Sequence, residues 1–194
     1  MKCGSIAMAA CAAVVLASCS TTLQVDEPVA ETQRFDTGTV VDPESIIVAE
    51  TIDLSDRLNF LIVRTDGDNV AEYTSFFKES IIALGQFQNV YLTEDFELKI
   101  IQDGNAETIG EVSGPIGMTR ASEVYGPFMT ATFSTAFEGG YTYSATLIVR
   151  DAIDGRTLFQ VEHSAFNWWG LDQPLFYPVM NAFADWVDAN SPGV

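Results

Sequence analysis

An α+β fold with a mostly antiparallel sheet is predicted by three features of this 194-residue chain. Apolar and polar residues alternate from Met129 to Val149, two stretches ending at Leu84 and Val187 carry apolar residues at helical spacing, and a β-branched run, Leu61-Ile62-Val63, precedes the first of these stretches. Helices that bury one apolar stripe against one face of such a sheet give a two-layer domain.

The folded part is expected to span residues 46–190 as a single domain. Ser45 to Ala49 is a short apolar run. Arg57 to Arg64, apolar at its centre and flanked by charge, reads as a central strand that Asp66-Gly67-Asp68-Asn69 breaks. From Val70 to Leu84 the residues Tyr73, Phe76, Phe77, Ile81 and Leu84 share one helical face, with Asn69 and Glu72 placed as a capping box and Gly85 placed to close the helix. Phe87 can fold back on the helix end, and Asn89 to Thr93 has strand composition, which gives a β-α-β start. Glu94 to Gln102 is read as a short helix. Asp103 to Gly126, with its glycines and Pro115, reads mostly as loop, with at best one short strand around Thr108 to Val112.

The next residues are more regular. Met129, Ala131, Phe133 and Phe137 alternate with polar or small neighbours, Glu138-Gly139-Gly140 supplies a hairpin, and Tyr141 to Val149 repeats the alternation. A third strand, Thr157 to Phe166, follows the Asp151-Ala152-Ile153-Asp154-Gly155 turn and completes an antiparallel meander. Phe176, Val179, Met180, Phe183 and Trp186-Val187 mark a closing helix, with Pro174 or Pro178 near its first turn. This order resembles the small periplasmic domains of the curli secretion lipoprotein and of the lipoproteins that activate penicillin-binding proteins. The helix-Gly85-x-Phe87-x-x-Val90 passage carries that likeness, and it bears on the fold alone.

The amino terminus tells most about location. Met1-Lys2, the apolar run Ile6 to Val15, and Leu16-Ala17-Ser18-Cys19 followed by Ser20-Thr21-Thr22 read as a secretory signal peptide over residues 1–18. The apolar run is shorter than the ~20 residues a transmembrane helix requires. Leu16-Ala17-Ser18-Cys19 resembles the lipobox of bacterial lipoproteins, which implies a thioether-linked diacylglycerol on Cys19 and three acyl chains in all. At about 0.8 kcal/mol per buried methylene such an anchor is effectively permanent. In that family an aspartate after the cysteine commonly holds the protein in the inner membrane; Ser20 stands here, which implies the outer membrane. Residues 19–45, rich in Thr, Asp, Glu and Val and without period, read as a lipid-anchored flexible tether of roughly 25–30 Å typical span.

Composition excludes several functions. Cys3, Cys11 and Cys19 all lie at or before the first mature residue, so no disulfide can staple the domain and the apolar core must hold it. The 9 basic and 27 acidic residues include only Lys2 before Cys19, leaving 8 against 27 afterwards. Such a surface repels nucleic acid, and no basic cluster near the anchor attracts anionic lipid. The acidity is read as serving solubility and freedom from self-association, in preference to an acidic docking face for a basic partner.

No catalytic set is legible. His163, the single histidine, neighbours Ser164 and precedes Asp172, but adjacent strand residues point to opposite faces and no Gly-x-Ser-x-Gly elbow exposes a nucleophile. His163 is read as a satisfied, partly buried strand residue. One imidazole and no free thiol exclude the usual zinc sets, so no metal is expected. Asp66-x-Asp68 begins like a calcium loop, but Ala71 stands at the position that needs glycine and Phe77 at the one that needs glutamate. Gly110, Gly114 and Gly117 form no phosphate cradle. No cofactor is expected, and no pair of carboxylates marks a glycosidase.

The stretch Phe166-Asn167-Trp168-Trp169-Gly170-Leu171-Asp172-Gln173-Pro174-Leu175-Phe176-Tyr177-Pro178 is the densest in aromatics, Pro and Gly. It reads either as a rigid connection, with a tryptophan filling the sheet-helix gap, Asn167 tying the loop and Asp172 capping the helix, or as a partner-binding surface built on Trp168, Trp169, Asn167 and Asp172. The expected protein is therefore a non-enzymatic envelope lipoprotein that meets the membrane through Cys19 and meets an envelope protein, or itself, through this loop. The competing expectation is a lipid-anchored hydrolase or sugar-binding protein.

Overall fold

The computed structural model describes residues 24–67, 73–166 and 172–191. The strands are β1 (Ile46–Ala49), β2 (Leu61–Asp66), β3 (Val90–Leu92), β4 (Met129–Gly139), β5 (Thr142–Asp151) and β6 (Thr157–Phe166), and the helices are α1 (Thr74–Leu84), α2 (Thr93–Gln102), α3 (Ala106–Ile109), α4 (Pro115–Tyr125) and α5 (Tyr177–Ala189). The strands form one mixed sheet in the order β1-β6-β5-β4-β2-β3, so the fold is α+β. β2 lies between β3 and β4 and is parallel to both, while β4, β5, β6 and β1 pair antiparallel.

The alternation in the sequence sets the faces. Leu61 and Val63 of β2, Ala131 and Phe133 of β4, Leu147 and Val149 of β5 and Phe159 and Val161 of β6 share one core with Phe77 and Ile81 of α1 and Val179, Met180 and Phe183 of α5. Phe77 lies flat on Phe133, ring centroids 4.2 Å apart, and Phe183 and Trp186 stack beside Phe159. α1 ends where Gly85 takes φ +72°, a left-handed conformation that glycine adopts without a side-chain clash. The described part of α1 begins at Thr74, and the Asn69–Glu72 capping box lies outside the described residues.

Ile62, one residue out of phase with its neighbours, faces the other way. It joins Phe60, Phe96, Ile100, Ile109, Met118, Ala121 and Phe128 in a second, smaller cluster, so α2, α3 and α4 pack on the face opposite α1 and α5. Lys78 of α1 reaches Asp95 of α2 at 2.6 Å beside the edge strand β3. That bond holds the Asp95 carboxyl below the usual carboxylate range. What it contributes to stability is present at neutral pH and is lost as pH falls through the depressed value.

Two expectations need correction. Residues 103–126 are not mostly loop, and residues 106–109 form the helical turn α3 instead of a strand. α4 begins with Pro115 at its first turn, preceded by Gly114 and stopped by Gly126. Met118, Ala121 and Tyr125 lie along the face that meets the second cluster. Glycine content misleads here because Gly117 lies inside the helix for packing: a Cβ on it would stand 1.9 Å from the carbonyl oxygen of Glu111.

Nor is the segment after residue 24 a free tether. Val25 packs on the main core, and Phe35 (3% exposed) and Val41 are buried in it. The segment turns at residues 29–34 and straps α5. Arg34 binds Asp185 at 2.8 Å and Asp188 at 2.5 Å, Asn181 donates to the carbonyl of Phe35 and accepts from its N–H, and the Phe35 ring stacks on Tyr177 at 4.2 Å. The bonds to both aspartates raise the pKa of Arg34 against the opposing effect of burial. A strap held by one aromatic, one asparagine and one arginine has no period for a sequence pattern to show.

Removing the Phe35 ring should release it. In Phe35→Ala the main core loses one stacked ring and the strap loses its plug, so trypsin is expected to cut after Arg34 at least tenfold faster than in the parent, about the factor that 1.4 kcal/mol of easier opening supplies. Mass spectrometry of a digestion time course reads this. Equal cutting rates would mean that the strap is held by its polar bonds alone.

Candidate functional site

β4, β5 and β6 run past the rest of the sheet at one end. The last residue of β2, Asp66, pairs with Ser134, whereas β4 continues to Gly139. Five further residues at ~3.3 Å each carry the β4–β5 hairpin about 16 Å beyond β2. Its end carries exposed aromatics: Phe137 is 61% exposed, Tyr141 68% and Phe166, at the end of β6, 46%. Phe137 packs against Tyr143 at 5.1 Å and Tyr141 against Phe166 at 6.2 Å. Thr142 pairs with both Gly139 and Phe166, which brings the three strand ends together.

The turn is built at a cost. Gly140 and Tyr141 have φ +59° and +67°, the two-residue turn in which both central residues are left-handed. Asn or Gly is usual at such positions, and a residue with a Cβ costs roughly 1–2 kcal/mol there. The alternation puts Phe137 on the face of Tyr143, which packs on the main core, yet Phe137 is exposed, because periodicity reports which face a residue is on and not whether a layer covers that face. The signal that could have marked Phe137 and Tyr141 is Gly139-Gly140-Tyr141 itself, an aromatic placed in a tight turn.

Of the residues expected to bind a partner, Asn167, Trp168, Trp169 and the side chain of Asp172 lie outside the described residues, as does Cys19. Phe166, where that stretch begins, belongs to the hairpin cluster. Its far part, Asp172–Phe176, is a single π-helical turn leading into α5, and Leu175, Phe176 and Tyr177 are core residues.

His163 is buried on the sheet face that carries Phe159 and Val161, and its Nε2–H donates to the carbonyl of Pro174 at 3.0 Å. Ser164 points the other way and donates to Glu138 at 3.1 Å. The pair forms no nucleophile and base. Asp151, 2% exposed, accepts from Arg57 Nη2 at 3.0 Å and Nε at 3.2 Å and from the N–H of Ile153, which makes it a structural carboxylate closing the β5–β6 turn. Lys99, Asp103 and Tyr125 form a surface group. The Lys99 ammonium and then the Tyr125 hydroxyl hold Asp103 below its usual range, and Asp103 in turn raises Lys99. Burial is the main cause that raises Tyr125.

The clefts suit packing better than chemistry. A groove of about 450 Å³ between the strap and α5 is lined by Val40, Val41, Ile46, Phe159, Pro178 and Trp186. A smaller one, about 220 Å³, has Arg64, Thr130, Thr132 and Arg150 on its walls, and Arg64 already donates to the carbonyl of Ser113 at 2.6 Å. Among the described residues no three His, Cys, Asp or Glu side chains converge as metal ligands, and no helix is long and apolar enough to cross a membrane.

No protein-family model matches the chain, and no curated protein matches it. Among solved structures it is similar to the LpoB C-terminal domain from Salmonella enterica, at 12% identity and TM-score 0.39 over 61% of this chain and 88% of that one. It is also similar to the PelC dodecamer subunit from Paraburkholderia phytofirmans, at 12% and 0.39 over 77% and 98%. A third is lipoprotein GNA1162 from Neisseria meningitidis, at 17% and 0.36 over 70% and 99%. The likeness at these scores is partial.

Proposed function

We propose that this chain is an outer-membrane lipoprotein, anchored by lipid on Cys19, whose α+β domain works in the periplasm as a non-enzymatic interaction module for an envelope protein or a second copy of itself. The observation that carries the reading is Leu16-Ala17-Ser18-Cys19 behind a charged start and an apolar run. Support comes from the position of that cysteine, six residues before Val25, the first of the described residues that packs against the core.

The anchor is tested by Cys19→Ala, which is expected to abolish incorporation of labelled palmitate and to release or stall the protein. Unchanged labelling would overturn it. The role is tested by pull-down of the tagged mature protein from envelope extract, with a panel of glycans and esters assayed in parallel. A specific envelope protein or a second copy of the chain is the expected result. Recovery of neither, together with clear turnover, would overturn the interaction role.

A further inference from the structure

We propose that the aromatic hairpin end formed by Phe137, Tyr141 and Phe166 rests in the headgroup interface of the bilayer to which the chain is anchored. The inference depends on lipid at Cys19 as proposed above and adds an orientation to it.

The length of the connecting segment is the first argument. The chain docks at Val25 and Asp26, where the N–H of Asp26 donates to the Tyr177 hydroxyl at 2.8 Å. Cys19 is six residues earlier, and six residues reach at most about 20 Å even when fully extended. Residues 24–45, most of the 25–30 Å tether expected from composition, pack on the domain instead, so lipid on Cys19 would hold the domain within that six-residue reach.

Topology supplies the second argument, because it decides which end is held close. Tyr177 opens α5. α5 follows the π-helical turn, and Pro174 in that turn is bonded to His163 of β6. β6 ends at Phe166 opposite Thr142, next to the β4–β5 turn. The point where the anchored segment meets the domain and the projecting hairpin are therefore at the same end of the sheet. The β5–β6 turn at Asp154 is at the other end, where Trp186 and Asn190 of α5 meet Glu50 and Leu54.

The third argument is chemical. The surface carries far more acid than base, so charge does not draw it to anionic lipid. Tyrosine and phenylalanine at the headgroup level are favoured without charge, because an apolar ring body sits in the acyl boundary while a tyrosine hydroxyl stays wet. Three partly exposed rings would hold weakly alone. Tethered within about 20 Å they need only compete at a high effective concentration. The left-handed Tyr141 is then accounted for, since the turn places a ring at the farthest point of the hairpin. Glu138, exposed next to Phe137, lies on the other face of the hairpin, the one that carries Ser164 and Phe166, and its carboxylate is held there by the Ser164 hydroxyl.

Site-directed spin labelling tests this on the full lipidated protein, purified from membranes and reconstituted in phosphatidylcholine vesicles. Cys3 and Cys11 leave with the signal peptide and the Cys19 sulfur is in a thioether, so one introduced cysteine is the only thiol. A nitroxide on Tyr141→Cys is compared with one on Ile153→Cys, an exposed position in the β5–β6 turn. The expected ratio of oxygen to nickel-chelate relaxation is at least about threefold higher at 141 than at 153, the signature of an interfacial depth. Adding Phe137→Ser should lower the ratio at 141. Equal ratios on protein whose intact mass includes the lipid would overturn the orientation and leave the anchor standing. Spin–spin broadening between copies at 141 would also overturn it, in favour of a subunit contact. An intact mass without lipid would refute the anchor, and the orientation with it.

Discussion

Phe77→Ala is expected to lower the unfolding free energy by about 3–5 kcal/mol. The ring is fully buried and lies parallel to Phe133 of β4 at 4.2 Å, edge-on to Phe176 of the π-helical turn at 5.0 Å and next to Phe76 at 5.8 Å. One side chain thus joins α1, the sheet and the start of α5. Its loss leaves a cavity whose other walls are aromatic rings on three different elements, and rigid rings collapse poorly into a void. Urea unfolding of the mature protein measures the change as a lower midpoint at unchanged slope. Ile82→Ala, on the exposed side of the same helix, should change stability by less than about 0.5 kcal/mol. A loss below about 1.5 kcal/mol for Phe77→Ala would mean that the main core is less well packed than these ring distances describe.

Gly117→Ala should be destabilising by about 2–3 kcal/mol, against the sign that helix propensity gives. In an exposed helix interior, glycine to alanine gains about 0.8–1.0 kcal/mol. In α4, however, the new methyl would stand 1.9 Å from the Glu111 carbonyl oxygen, 2.8 Å from its carbonyl carbon and 2.9 Å from the Val112 Cα. These are backbone atoms, and Val112 is buried in the smaller core, so the helix must move off the segment it packs on. Gly38→Ala is the matched control: no atom lies within 4 Å of its Cβ and its φ is not left-handed, so the change should be near neutral. Thermal unfolding of the two variants side by side distinguishes a steric cost from a propensity effect. A Gly117→Ala protein more stable than its parent would show that residues 111–112 do not lie against α4.

Both variants show where sequence reasoning succeeds and where it stops. Phe77 is legible as a core residue because Tyr73, Phe76, Phe77, Ile81 and Leu84 repeat at helical spacing and share one stripe. Gly117 is not, because its reason is a neighbouring backbone six residues away, and nothing in composition distinguishes a glycine that breaks a helix from one that lets another segment approach it. The candidate surface divides in the same way. The crowding of aromatics after Phe166 is visible in the chain, whereas the exposure of Phe137 and Tyr141 depends on the hairpin running on past β2.

Local chemistry by itself determined the α+β class, the helical stripes of α1 and α5, the meander, the glycine that ends α1 and the lipobox-like run Leu16-Ala17-Ser18-Cys19, because each is a pattern among neighbours a few residues apart. Only the tertiary structure decided that residues 24–45 strap α5, that α2–α4 build a second core on the opposite face, and that the aromatic hairpin lies at the end of the sheet where Asp26 meets Tyr177. Those outcomes rest on contacts between residues far apart in the chain, such as Phe35 with Tyr177 or Ile62 with Phe96, where burial and fit choose the partner and no local period announces it.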